Sequence, residues 1–199
     1  MAVATLVLFS VFLLLVVGVR VWVQVRHNSD TDFRRLAGPR GAVQWRIGWL
    51  ATAGSLVLGV VSPVAVLMGL EPLVDNISVA AIAVGLTVTG MVATVVAQLM
   101  MGESWRPNVD PEERTALVTS GPFRLVRNPV LASVLVTCAG LSLMTPTVIG
   151  FAGLAAAVVA NELLVRLVEE PYLRRVHGDE YRRYARAVGR FVPGIGRIR

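Results

Sequence analysis

The chain has no lysine. All 19 of its basic residues are arginine, set against 13 acids, and charged residues fill only 16% of its 199 positions. With 55% hydrophobic residues and a mean hydropathy of +0.67, it carries more apolar side chain than a soluble domain of this length can hide. It is also too short for two independent domains in addition to several membrane crossings, which excludes a large soluble catalytic domain. The single cysteine, Cys138, lies in an apolar run, so a disulfide within the chain and a thiolate metal cluster are both excluded. Two histidines, His27 and His177, stand in separate segments, which argues against a His-rich metal site and a Ser-His-Asp triad. No strand pattern leads into a glycine-rich phosphate loop. What remains is an all-α integral membrane protein whose chemistry depends on positioning and electrostatics.

Crossing about 30 Å of hydrocarbon takes roughly 20 residues of helix. Five stretches are read as spans: Val3 to Val25, Ile47 to Leu70, Ile77 to Met101, Val130 to Met144 and Thr147 to Val168. Arg20 can snorkel from the end of the first, and that span, lacking a basic leader and a small-residue cleavage site, reads as retained. Pro63 should kink the second without ending it. Thr145-Pro146 separates the last two as the turn of a tight helical hairpin. Residues 1–101 thus form three N-terminal spans, and residues 102–199 a cytoplasmic loop, the hairpin and an amphipathic tail helix.

The arginines alternate with these spans. Five lie between Arg26 and Arg46, none from Glu71 to Asn76, four from Gly102 to Pro129, none in the hairpin turn and eight after Val168. Basic residues stay on the cytoplasmic side, so the N-terminus is expected outside and the C-terminus inside, in a cell inner or plasma membrane. The net charge of +6 and pI near 10.9 are therefore topological and point to no nucleic-acid partner.

Charge that topology does not absorb gathers on the cytoplasmic face in two places. In the first, Pro107, Pro111, Pro122 and Pro129 forbid one long helix. Gly121-Pro122 is a turn, and Arg127-Asn128-Pro129 enters the fourth span with Asn128 as the expected side-chain cap and Pro129 as first helical residue. Such a helix start, with unpaired N–H groups and a positive dipole end, suits a carboxylate. In the second, Glu162 and Arg166 stand at i, i+4, a structural pairing spacing, and Glu169 and Glu170 follow within a further turn. Beyond Gly178 a short helix carries Tyr181 and Tyr184 on one side and Arg182, Arg183, Arg186 and Arg190 elsewhere, the pattern of an interfacial helix lying on anionic lipid.

These pieces, Gly121-Pro122-Phe123-Arg124, Arg127-Asn128-Pro129, the hairpin, Glu169-Glu170 and His177-Gly178-Asp179-Glu180-Tyr181 with Tyr184, resemble in order and spacing the isoprenylcysteine carboxyl methyltransferase family and its related phospholipid methyltransferases. The likeness covers roughly residues 100–194. Asn128 stands where the family pattern has histidine, Leu131 where it has tyrosine, and His177 where it has an aromatic residue. The resemblance implies a cytosol-facing S-adenosylmethionine pocket lined by Gly121, Pro122, Arg124, Arg127, Asn128, Pro129, Leu131, Glu169, Glu170 and Tyr181. It implies catalytic roles for Glu169 and for Arg166, which would orient the acceptor. The partner is then a lipophilic small molecule or lipidated substrate arriving from the membrane lipid. The reacting atom and the oligomeric state are left open. Two other readings stand beside this one: an NADPH-dependent membrane reductase of similar architecture, and a non-catalytic scaffold or transporter in which Glu162, Arg166 and Glu169 form structural ion pairs.

Overall fold

The computed structural model describes residues 1–27, 42–101 and 117–198, without the side chains of residues 20 and 23–27. The arginines expected at positions 34, 35, 40, 106 and 114, and the prolines at 107 and 111, lie outside the described residues. The described chain is helical. Helix α1 runs Ala2–His27, α2 Ala42–Leu67, α3 Ile77–Met101, α4 Pro129–Met144, α5 Val148–Leu164 and α6 Glu170–Ala187. A wide turn over Val165–Glu169 joins α5 to α6 without a break.

Among the described residues, four helices are long and apolar enough to cross a membrane: α1, α2, α3 and the rod that begins at Val148, which kinks at Gly178, where φ is +51 and the expected tail helix begins. The expected fifth span corresponds to α4. At 16 residues it reaches about 24 Å, short of a full bilayer core. Proline at its first position and the Thr145-Pro146-Thr147 turn after Met144 bound it tightly at both ends.

Pro63 acts one turn earlier than a simple kink. It cannot donate to a carbonyl in the preceding turn, and α2 absorbs the loss by widening over Val57–Val61, where the Ser62 N–H reaches back five residues to Val57 O. The widened turn carries Gly59 against the ring of Phe9 from α1, where no Cβ would fit.

Helices in lipid gain nothing by hiding leucine from lipid tails, so close packing of small residues decides which of them associate. Here α3 pairs antiparallel with α4 through glycine. A Cβ on Gly90 would sit 2.6 Å from the Thr137 nitrogen, and one on Gly140 2.5 Å from the Thr87 nitrogen. In the same way α2 and α5 meet at Gly54 and Gly153, each of whose Cβ atoms would lie 2.8 Å from the other's carbonyl oxygen. Phe9, Phe12, Leu58, Met91, Cys138, Leu141 and Met144 fill the space between the two pairs. The α4–α5 hairpin is thus a hairpin by connection, while each of its helices makes its closest packing with an earlier one.

One end of the bundle is closed by hydroxyls. Ser62 Oγ lies 2.8 Å from Thr147 Oγ1 and donates to Thr145 O at 3.2 Å, and Leu73 N donates to Pro146 O at 2.7 Å. The two arginine-free connections, Glu71 to Asn76 and Met144 to Thr147, therefore meet at the same end, as the charge count requires. The site is built at the other end.

Candidate active site

Three segments converge there. The first is a tight turn over Gly121–Arg124, opened by Gly121 at φ +57, a left-handed value that glycine adopts without strain, and packed under the Met100 side chain at the end of α3. The second is Val126 to Pro129, leading into α4. The third is the end of the chain, which folds back after α6: Arg127 N donates to Gly189 O at 2.8 Å, Asn128 N to Arg190 O at 3.1 Å, and Arg190 N to Ile195 O at 2.7 Å.

Arg127 locks the three together. Its side chain is buried, and Nη2 donates to Glu170 Oε1 at 2.6 Å and Gly196 O at 3.0 Å, while Nη1 donates to Ala185 O at 2.8 Å and Val188 O at 3.2 Å. Arg190 clasps the same carboxylate, with Nε at 2.8 Å from Oε1 and Nη2 at 3.2 Å from Oε2, and it extends Nη1 to Glu162 Oε2 at 3.4 Å. Burial would raise the Glu170 carboxyl, but the Arg190 hydrogen bond, the charges of Arg127 and Arg190 and the Arg127 hydrogen bond outweigh it and hold the carboxyl below its ordinary range. Buried charges persist where geometry and hydrogen bonds repay desolvation, and Glu170 accepts from two guanidinium groups.

The sequence-derived site residues divide on this geometry. Arg127 and Glu170, expected to face a cofactor, spend their hydrogen-bonding groups on each other and on backbone carbonyls. Of the polar atoms in these two side chains, Arg127 Nε alone is buried without a partner. Asn128 occupies the cap position of α4, but its side chain makes no cap bond; Nδ2 turns to Arg190 O at 3.4 Å. Tyr181, 1% exposed, is packed inside with its ring 6.3 Å from that of Tyr184, whose hydroxyl donates to Phe123 O at 2.6 Å. Burial pushes the hydroxyls of both tyrosines up to about 12. The tail helix therefore seats its tyrosine side on the protein, and Arg190 belongs to the buried network, whereas Arg182, Arg183 and Arg186 stay exposed.

Groups that remain open to a ligand lie around the start of α4. Pro129 is buried, Leu131 and Asn128 are half-buried, and Gly121 and Arg124 are exposed beside them. Glu169 stands where the apolar rod ends. Burial, then the charge of Glu170, push its carboxyl up to about 7. Farther toward the membrane Arg166, 59% exposed at its side chain, donates from Nε to Glu162 Oε2 at 2.5 Å, the pairing its i, i+4 spacing anticipates.

Gln98 is the polar residue that motif and charge patterns pass over. This residue of α3 is 1% exposed, and both amide atoms are buried without a hydrogen-bond partner. Its signal was a lone amide in a 25-residue apolar helix. Polar groups inside a membrane are costly enough to deserve a reason.

The family model for phospholipid methyltransferases matches residues 78–180, more than half of the chain and the whole stretch from α3 into α6. The chain belongs to the phospholipid methyltransferase family. No curated protein sequence matches it. Among solved structures it is similar to the eukaryotic intramembrane Ras methyltransferase, isoprenylcysteine carboxyl methyltransferase, at a TM-score of 0.54 and 18% identity. That match covers 81% of this chain and 56% of the other, so the two share a fold, and this phospholipid methyltransferase family member spans little more than half of its neighbour's length.

Proposed function

We propose that the protein is an S-adenosylmethionine-dependent methyltransferase whose acceptor is a lipophilic molecule with a polar head, entering from the bilayer. One observation carries this reading beyond family membership. The Arg127–Glu170 pair at 2.6 Å and its Arg190 clasp bring the Gly121–Arg127 turn, the start of α4 and the Glu169 carboxylate to a single end of the bundle, beside the lipid-border pair Glu162–Arg166.

The donor set fits the cofactor in a narrower way than the sequence motif implies. Arg127 and Glu170 build the frame. The first turn of α4 would receive the carboxylate of the methyl donor, as helix starts receive anions. Glu169 would take its ammonium or ribose hydroxyls, with Leu131 and Pro129 forming an apolar wall. When bound, S-adenosylmethionine supplies a methyl group made electrophilic by the sulfonium. The protein's part is placement: Arg166 holds an anionic or strongly polar head at the membrane border, and the fixed frame keeps that head in line with the donor. Partial burial of Glu169 strengthens its attraction for a cation.

Calorimetric titration of the detergent-solubilised protein with S-adenosylhomocysteine tests the reading. Wild type should bind, and Glu169→Ala should bind at least tenfold more weakly. Absence of heat in wild type, with a thermal shift on NADPH instead, would favour a reductase. Incubating membranes with a radiolabelled methyl donor then identifies the labelled lipid.

A further inference from the structure

Gln98 is the strongest unexplained feature of the molecule. More than nine in ten buried polar groups in proteins find a partner, yet both polar atoms of this amide are buried with none. Its position follows from the α3–α4 register. Gly140 lies against Thr87, Gly90 against Thr137 and Ser133, and Thr94 Oγ1 donates to Ser133 Oγ at 3.1 Å. The two helices run antiparallel on this face, so one turn beyond Thr94 brings Gln98 opposite Pro129, the first residue of α4. Ser133 gives its hydroxyl proton to the Pro129 and Val130 carbonyls and makes no bond to the amide. The Gly121 turn packs under Met100, two residues farther along α3. The register of the pair therefore sets an orphaned amide beside the N-terminus of a 16-residue helix.

The two features are complementary in what they can bind. A helix start favours negative charge and offers N–H donors. A glutamine amide adds two further donors and, on its oxygen, an acceptor. An α-amino-acid group matches this set: its carboxylate takes the helix start and the Nε2 donors, and its ammonium, with three protons to give, donates one to Oε1 and leaves the others for the Glu169 carboxylate. A phosphate or lone carboxylate would leave the amide oxygen unsatisfied.

We propose that Gln98 and the first turn of α4 form the subsite for the amino-acid end of the methyl donor. This rests on the methyltransferase reading above and adds to it a residue from the apolar half of the chain.

The test compares two ligands, S-adenosylhomocysteine, which has the amino-acid end, and methylthioadenosine, which lacks it, in titrations of full-length wild type and Gln98→Leu. Gln98→Leu should weaken S-adenosylhomocysteine about tenfold and leave methylthioadenosine unchanged. Without ligand it should melt at or above the wild-type temperature, since it removes a buried group that has nothing to bond. Equal affinity of both proteins for S-adenosylhomocysteine overturns the inference, and so does an equal loss for both ligands. If wild type binds neither compound, the methyltransferase reading itself falls and takes the subsite with it. Gln98→Glu guards against an effect of volume alone: it keeps the size, loses the donors and sets a charge against the carboxylate, so it should weaken S-adenosylhomocysteine more than leucine does.

Discussion

The Arg127 side chain has become a structural centre. Removing one partner of a buried ion pair leaves the other charge unpaired in a dry place, which costs about 3–5 kcal/mol. Arg127→Ala and Glu170→Gln should each lower the melting temperature sharply. The double substitution should lose clearly less than the sum, because residues in one network are not additive. Simple additivity in that cycle would contradict the clamp. The same carboxylate sets an acid limit. Glu170 is held below its unfolded value of about 4.3, so its contribution to stability is complete above that pH. It is lost as pH falls through the lower folded value. Melting curves of wild type and Glu170→Gln should therefore converge in acid. Glu169 carries the opposite sign. A carboxyl raised to about 7 is partly protonated at neutral pH, and a bound ammonium would draw it into the charged form. Binding of S-adenosylhomocysteine should then release protons, so the heat measured at pH 7 should change with the ionisation enthalpy of the buffer; Glu169→Gln should abolish that dependence. At this scale the sequence was a good guide to which residues matter and a poor one to what they do. The family resemblance brought Arg127 and Glu170 to attention as ligands, but only the fold shows that 43 positions of chain separation close to 2.6 Å, turning two expected ligands into each other's partners.

Helix pairing here rests on glycine. Gly140→Val puts a branched side chain where even one Cβ would meet the Thr87 nitrogen at 2.5 Å and the Ala83 oxygen at 2.9 Å. Overpacking of this kind typically costs about 1–3 kcal/mol, and backbone atoms of α3 have less room to yield than side chains. Gly85→Val, in the same pair of helices but with open space around its Cβ, is the control. Thermal unfolding in detergent should separate the two, and equal melting temperatures would show that α3 and α4 do not rely on close approach. Hydropathy found every one of these helices, because a run of apolar residues has a single meaning in a bilayer. It could not find the α3–α4 and α2–α5 pairs, since Gly90, Gly140, Gly54 and Gly153 look like any other small residues until a neighbour lies against them. The widened turns at Val57–Val61 and Val165–Glu169 were equally hidden. Each is followed by a proline two residues beyond its end, Pro63 and Pro171, which removes a backbone donor in the same way, and the second also carries Arg166 and Glu169, the two residues given catalytic roles. Wide turns of this type recur at functional sites.

For the molecule as a whole, the charge count and the fold agree on one division. The arginine-free connections are joined by the Leu73–Pro146 hydrogen bond, and among the described residues the segment carrying Arg124 and Arg127 meets the arginine-rich tail at the opposite end, through Glu170 and Arg190. A bilayer protein with this asymmetry should place the arginine end in the cytoplasm, with the site open to the cofactor there and to acceptors from the inner leaflet. Cys138 is buried, so a membrane-impermeant maleimide should leave the native protein unlabelled and report cleanly on introduced cysteines. Leu73→Cys and Ile195→Cys make the comparison, since both positions are exposed, at 59% and 66%, and lie at opposite ends of the bundle. In intact cells Leu73→Cys should label and Ile195→Cys should not; after permeabilisation both should. The reverse pattern would put the site on the outer face, away from any intracellular pool of methyl donor, and would defeat the proposed function without touching the fold. Labelling of both from one side would mean that the two ends do not lie across a bilayer from each other. That outcome matters because α4, at 16 residues, is the weakest crossing. It can reach both surfaces only if the bilayer thins around it; otherwise the α4–α5 turn stays below the surface, covered by the Glu71 to Asn76 connection, an arrangement with which the 1% exposure of Thr145 and Thr147 agrees.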